Sequence, residues 1–217
     1  MSNQELIAKL KEKKIVAIVR GLPVETVLNV TKALYDGGIR FVEVTFNQSS
    51  STCLEDTGNA IRAICEHYTD LHVGAGTVIS EEQLMTAYNA GAKYIISPNM
   101  DTELIRKTKE LGLLSMPGAM TASEIVTAYK AGADFVKLFP TDNLGAGYIK
   151  AVRAPLSHIP MLAVGGVNDE NMADFYKAGA CGFGIGGNIV NKKLVESGDF
   201  AGLTALARRY VAAAERL

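Results

Sequence analysis

Short apolar runs alternate along the chain with charged segments whose pattern suits helices. Apolar runs without polar alternation are typical of parallel strands that helices cover on both faces. The spacing between successive runs is roughly 20–30 residues, which is what one strand, one helix and two short loops need. The runs lie at 14–20, 41–46, 72–77, 94–97, 113–116, 135–140, 161–166 and 182–187.

A weak internal repeat predicts how several helices end. Tyr-x-x-Gly followed by an apolar run recurs as YDGGIRFVEV, YNAGAKYIIS, YKAGADFVKL and YKAGACGFGI. A glycine at this point suits the position just after a helix, where φ is positive. Five glycines are therefore assigned to helix ends and to no chemistry: Gly38, Gly91, Gly112, Gly132 and Gly179. Two helix starts match the capping-box pattern, Ser80 with Gln83 and Thr121 with Glu124.

Eight strand-like runs that alternate with helices predict a (β/α)8 TIM barrel rather than a doubly wound sheet. An additional N-terminal helix is expected at about 3–13, and the last helix at about 199–216. No linker is visible, so residues 1–217 are predicted to form a single α/β barrel domain.

Composition excludes several classes of function. The formal net charge of −1 gives no electrostatic footprint for nucleic acid. No apolar stretch is long enough for a membrane span, and the polar N-terminus does not resemble a signal peptide. The three cysteines lack CxxC spacing and the three histidines are dispersed, so no metal site is indicated. We expect a cytoplasmic protein with no nucleic-acid or membrane partner.

Lys137 is unusual because it lies inside the apolar run Phe135–Phe139. Side chains alternate along a strand, so Lys137 is expected to point into the barrel. Burial lowers the pKa of an ammonium group, and a neutral amine can form a Schiff base with a carbonyl. The alternative is a lysine whose stem is buried while its head reaches water.

Glu43 lies in the run FVEVT and faces inward by the same alternation. A buried carboxylate needs a partner or a function. Glu43 is therefore a candidate general acid/base beside Lys137, and the alternative is a purely structural ion pair.

Glycine pairs end the seventh and eighth runs, which are the strands that often hold phosphate in this fold. They are Gly165-Gly166 and Gly186-Gly187, and Asn188 follows the second pair. Arg20 ends the first run, which is adjacent to the eighth in a closed barrel, so it is expected to reach the same anion. The alternatives are tight turns for the glycines and a solvated side chain for Arg20.

Three further residues at strand ends are weaker candidates. Thr77 offers a hydroxyl and an N–H to a carboxylate, or it caps a turn. Pro98 walls the pocket, or it only terminates its strand. Phe139 lies against a small apolar group beside Lys137, or it is a core aromatic.

These residues together resemble the class I 2-keto-3-deoxy-6-phosphogluconate (KDPG) and 4-hydroxy-2-oxoglutarate (KHG) aldolases, including the 6-phosphogalactonate (KDPGal) branch. The resemblance spans about residues 14–190 and rests on motifs that occur in order at strand ends. The motifs are VEVT, GAGT, ISPN, the PG at 117–118, VKLFP and AVGG.

The resemblance implies a (β/α)8 barrel that assembles as a homotrimer and needs no cofactor and no metal. It implies cleavage of KDPG to pyruvate and glyceraldehyde 3-phosphate, with KHG cleavage as a side activity. Lys137 is then the Schiff-base lysine and Glu43 the general acid/base. The implied substrate-binding residues are Thr77 for the carboxylate, Pro98 and Phe139 for the pyruvate pocket, and Gly165, Gly166, Gly186, Gly187 and Asn188 for the phosphate. Arg20 and Asn47 complete the set of predicted substrate-binding residues.

One position departs from the phosphogluconate-type motif, in which an arginine stands four residues after the glutamate. Here that residue is Asn47, and Arg20 is the candidate to replace the lost charge. The combination of Arg20-Gly21 with Asn47 is more similar to the phosphogalactonate branch, so KDPGal is the alternative substrate. More remote alternatives are a phosphate-binding barrel isomerase and a sugar-phosphate sensor without turnover.

Overall fold

Parallel strands alternate with helices throughout the computed structural model, which describes residues 1–217. The strands are β1 (Ile15–Arg20), β2 (Phe41–Thr45), β3 (His72–Gly76), β4 (Tyr94–Ile96), β5 (Leu114–Met116), β6 (Gly118–Ala119), β7 (Val136–Leu138), β8 (Met161–Val164) and β9 (Gly182–Ile185). They form one sheet in the order β5-β4-β3-β2-β1-β9-β8-β7-β6.

The sheet closes into a barrel through Pro117. The two ends of the sheet order, β5 and β6, are separated only by this proline, which has no N–H to donate to a ladder. Met116 pairs with β4, whereas Gly118 pairs with β7. The predicted (β/α)8 barrel is confirmed, with its fifth strand divided by Pro117 into two short pieces.

Helices surround the barrel, and two of them match the predicted ends of the chain, α1 and α10. The helices are α1 (Asn3–Lys13), α2 (Val24–Asp36), α3 (Cys53–His67), α4 (Glu81–Asn89), α5 (Thr102–Glu110), α6 (Ala122–Lys130), α7 (Gly145–Arg153), α8 (Met172–Lys177), α9 (Lys192–Glu196) and α10 (Phe200–Glu215). No helix is both long and apolar enough to cross a membrane.

Two apolar layers hold the fold together. The larger layer lies between the strands and the surrounding helices. The smaller one fills the barrel interior, where Leu6 and Leu10 of α1 meet inward-facing residues such as Phe41 and Phe135. Helix α1 therefore covers the amino-terminal end of the barrel and leaves the carboxyl ends of the strands open for a site.

The predicted helix ends are confirmed at the four glycines of the repeat and at Gly112, each of which has positive φ. The capping box at Thr121 and Glu124 is present in full. At Ser80 only half of the predicted box forms, since Ser80 Oγ accepts from the Gln83 N–H. The Gln83 side chain accepts instead from the Ile79 N–H, so the prediction of a complete box there was wrong.

Candidate active site

Lys137 lies in the middle of β7 and is 5% exposed. Its strand neighbours Val136 and Leu138 belong to the outer apolar layer, so Lys137 faces the barrel interior, as predicted. Its Nζ lies 4.7 Å from the centroid of the Phe139 ring. Burial lowers the pKa of the Lys137 ammonium, Glu43 raises it, and Arg20 lowers it further. This environment favours the neutral amine that attacks carbonyls.

Glu43 lies on β2 and is 1% exposed. Its carboxyl group passes over Gly76 of β3, where any Cβ would overlap it. Burial raises the pKa of the Glu43 carboxyl, while Lys137 and Arg20 lower it. Lys137 and Glu43 are close enough to influence each other's pKa, but no salt bridge of 4.0 Å or less joins them. The arrangement therefore differs from a closed structural ion pair.

A cavity of about 510 Å³ opens beside Lys137 at the carboxyl ends of the strands. Arg20 and Lys137 are the only charged residues that line it, and both are basic. Arg20 is exposed, and its guanidinium forms no hydrogen bond or salt bridge within the chain. The cavity therefore suits an anionic ligand. Eight predicted site residues line it together: Arg20, Lys137, Phe139, Gly165, Gly166, Gly186, Gly187 and Asn188.

The two glycine pairs present free backbone donors to this cavity. The N–H groups of Gly165, Gly166, Gly186 and Gly187 form no hydrogen bond within the chain. Unpaired N–H groups beside an arginine are suitable donors to a phosphate. Asn188 links the two loops, because its Nδ2 donates to the Val167 carbonyl at 2.9 Å.

Thr77 and Pro98 do not line the cavity, although both lie at the mouth of the barrel. Thr77 follows β3 directly and has a φ of 57°, which is uncommon for a β-branched residue. Pro98 lies two residues beyond β4, and its carbonyl contacts the backbone at Gly118 so closely that only glycine fits there. The structure places these two residues on the β3–β4 side, away from the glycine pairs on β8 and β9.

Asn47 lines a different cavity of about 320 Å³, between the starts of α2 and α3. Its side-chain oxygen accepts from the Ser49 N–H at 3.1 Å, so it stabilises the loop after β2. Of the substrate-binding residues predicted from the sequence, Asn47 is the one that the structure assigns to a separate pocket.

The sequence reasoning missed several residues around the site. Ile18 and Val190 line the main cavity. Ile18 was accessible to the alternation argument, since it lies two residues before Arg20 on the same strand. Gln48 and Gln83 hold the turn that contains Thr77. No local pattern marks Gln48, and the capping pattern marked Gln83 only as the partner of Ser80.

Comparisons with known proteins show the family to which this chain is similar. The family model for KDPG and KHG aldolases matches residues 6–206. The 2-dehydro-3-deoxy-6-phosphogalactonate aldolase of Escherichia coli K12 is 37% identical over 177 residues, which is 81% of this chain and 83% of that one. The KHG/KDPG aldolase of the same organism is 33% identical over 205 residues, covering 93% and 92% of the two chains.

A solved protein structure described as native KDPGal superimposes on this chain with a TM-score of 0.82 at 35% sequence identity. The match covers 94% of this chain and 96% of that one, so it extends over nearly the whole barrel. The family model, the relatives and the fold agree with the resemblance seen in the motifs. The chain therefore belongs to the KDPG and KHG aldolase family and is a class I aldolase.

Proposed function

We propose that this aldolase cleaves 2-dehydro-3-deoxy-6-phosphogalactonate to pyruvate and glyceraldehyde 3-phosphate through a Schiff base on Lys137. The observation that carries the proposal is the buried Lys137 amine in a cavity whose only charged groups are basic. Such a cavity accepts a phosphorylated keto acid and holds its carbonyl beside a nucleophile whose pKa is lowered by burial.

The reaction begins when the neutral Nζ of Lys137 attacks the C2 carbonyl. The resulting carbinolamine loses water to give a protonated imine, and Glu43 supplies and removes the protons. Glu43 then takes the C4 hydroxyl proton, and the C3–C4 bond breaks. The electron pair of that bond moves into the imine to form an enamine, and C4 leaves as the aldehyde carbon of glyceraldehyde 3-phosphate. Protonation at C3 and hydrolysis release pyruvate and restore the free amine.

The two ends of the substrate are assigned to the two sides of the mouth. Arg20, the four free glycine N–H groups and Asn188 bind the phosphate on the β8–β9 side. Thr77 binds the carboxylate on the β3 side, while Pro98 and Phe139 border the pyruvyl group. Lys137 lines the same cavity as the proposed phosphate site, which brings its amine within reach of a bound keto acid.

The choice of the galactonate-derived substrate rests on Arg20 and Asn47. Arg20 supplies the free guanidinium of the cavity, and no arginine stands at position 47. The E. coli relative that is 37% identical is named for this substrate. The gluconate-derived C4 epimer, which the sequence motifs first suggested, is the second candidate because the E. coli KHG/KDPG aldolase aligns over 93% of this chain.

The test is pyruvate release, coupled to NADH oxidation by lactate dehydrogenase, from three substrates. They are the galactonate-derived acid, its gluconate-derived epimer and 4-hydroxy-2-oxoglutarate. We expect the highest kcat/KM with the first and a loss of roughly 10²–10⁴-fold in Glu43→Gln. Preference for the epimer would transfer the assignment to the second candidate. Absence of turnover with all three would overturn the proposal and favour a sensor.

We also propose that the chain assembles as a homotrimer. Large apolar side chains are exposed on and beside α4, with Ile79 46%, Met85 37% and Tyr88 42% exposed. Met85 and Tyr88 are three residues apart, so they lie on one face of the helix. Light scattering after gel filtration is expected to give three times the chain mass of 23.2 kDa. A monomer mass would contradict the proposal.

A further inference from the structure

The turn after β3 contains a strained residue at the mouth of the barrel. Thr77 has a φ of 57°, and Lys14 is the only other residue besides glycines with positive φ. A β-branched side chain disfavours this conformation, so the surrounding structure must maintain it. Backbone strain of this kind is concentrated at functional sites, which makes its supporting contacts informative.

Two glutamine side chains supply these contacts. The Nε2 of Gln48 donates to the Thr77 carbonyl at 2.8 Å. The Nε2 of Gln83 donates in turn to the Oε1 of Gln48 at 2.9 Å. The Oε1 of Gln83 accepts from the Ile79 N–H, also at 2.9 Å. The relay therefore holds the turn by its carbonyl at Thr77 and by its N–H at Ile79.

The amide orientations in this relay are fixed by its own hydrogen bonds. The carbonyl of Thr77 requires the NH₂ of Gln48, which leaves the Gln48 oxygen to face the NH₂ of Gln83. The Gln83 oxygen then faces the Ile79 N–H and accepts from it. All three bonds form in one orientation, and reversing either amide breaks two of them.

The relay also joins the loop after β2, the strand of Glu43, to the first turn of α4. Gln48 follows β2, the strand that carries Glu43, whereas Gln83 belongs to α4 and lies beyond β3. Gln83 is 6% exposed, and both the oxygen and the nitrogen of its buried amide form hydrogen bonds in the relay. The position of Thr77 is thereby fixed relative to the strand that bears the proposed acid/base.

We propose that Gln48 and Gln83 are positioning residues that hold Thr77 in its left-handed conformation and so set the affinity for the substrate carboxylate. This inference rests on the proposed function, in which Thr77 binds that carboxylate. The two glutamines do not touch the substrate, and they leave the reactivity of the Lys137 amine unchanged.

The experiment uses borohydride inactivation with two probes, pyruvate and hydroxyacetone. Both carry a ketone, but only pyruvate carries a carboxylate. In Gln48→Met and Gln83→Met, we expect the pyruvate concentration for half-maximal inactivation to rise about threefold to tenfold, as the loss of one hydrogen bond predicts. The limiting inactivation rate and the response to hydroxyacetone are expected to stay unchanged. Gln4→Met is the matched control, because Gln4 is the exposed glutamine that takes no part in the relay.

A double variant distinguishes the loss of the relay hydrogen bonds from a general disturbance of the structure. Gln48→Lys with Gln83→Glu restores a donor to the Thr77 carbonyl, an acceptor for that donor and an acceptor for the Ile79 N–H. We expect it to recover most of the pyruvate affinity. Unchanged pyruvate affinity in both single variants, or an equal loss with hydroxyacetone, would overturn the inference. Absence of inactivation in the unmodified protein would instead overturn the proposed function.

Discussion

The barrel interior is apolar at its amino-terminal end and carries buried ionisable groups towards its carboxyl-terminal end. Leu6 and Leu10 of α1 close the first end against Phe41 and Phe135, all four at most 3% exposed. At the other end, Lys137 and Glu43 are buried with no salt bridge between them. Apolar burial stabilises the fold, whereas a buried ionisable group without a partner destabilises it. The first end therefore stabilises the fold, whereas the second lowers its stability and provides the reactive groups.

The largest expected effect comes from Lys137→Met, which keeps the side-chain length and removes the amine. Turnover should fall on the order of a thousandfold or more because the nucleophile is lost. The melting temperature should stay the same or rise, since a buried amine is replaced by an apolar group. Steady-state pyruvate release and thermal unfolding measure the two effects. Lys150→Met, at an exposed lysine of α7, is the control, and activity within tenfold of normal for Lys137→Met would contradict the account.

The opposite pattern is expected at the closed end of the barrel. Leu10→Ala should lower the free energy of unfolding by about 2–5 kcal/mol, because it removes a fully buried side chain. The kcat/KM of the folded variant should remain normal at low temperature. Urea unfolding measures the first quantity. Ile7→Ala on the same helix is the control, because Ile7 is only partly buried. A loss of activity greater than the unfolded fraction explains would contradict the claim that this end of the barrel affects stability alone.

A smaller effect separates the phosphate side of the mouth from the catalytic centre. Arg20→Met should raise the KM for the phosphorylated substrate about tenfold or more, because a charge-assisted hydrogen bond is lost. The KM for unphosphorylated 4-hydroxy-2-oxoglutarate should change much less. Arg62→Met, on the exposed face of α3, controls for the loss of a surface charge. An equal rise in KM with both substrates would contradict the assignment of Arg20 to the phosphate site.

The smallest effect concerns the pH dependence of kcat/KM. The Lys137 amine must be neutral to attack, so activity should fall as pH decreases through its pKa. Burial and Arg20 lower that pKa from 10.5, so the fall should occur below the pH range of an ordinary lysine. Arg20→Met removes a positive charge that lowers the Lys137 pKa, so the fall in kcat/KM should move to higher pH. A shift to lower pH in that variant would show that Arg20 does not act on Lys137.

The hydrophobic pattern predicted most of the fold because each strand is a continuous apolar run between glycine and capping signals. The break at Pro117 was not predicted, since it depends on which neighbour each half of the fifth strand pairs with. Side-chain alternation placed Lys137 and Glu43 inside the barrel. Strand ends also brought the glycine pairs and Arg20 to one cavity.

The remainder of the site depends on contacts between distant segments. The separation of Asn47 from the main cavity follows from the course of the loop after β2, which strand alternation does not describe. The relay from Thr77 through Gln48 to Gln83 joins residues 29 and 35 positions apart in the chain. The capping pattern drew attention to Gln83 but did not predict its bond to Gln48, and the strained φ of Thr77 is visible only in the structure.

The most direct test of the central claim is the reduction of the protein with borohydride in the presence of pyruvate, followed by peptide mass spectrometry. The account predicts irreversible inactivation and a single pyruvate-derived adduct on the peptide that contains Lys137. The adduct should be absent without pyruvate. An adduct on a different lysine, or full activity after treatment, would contradict the assignment of Lys137 as the Schiff-base residue.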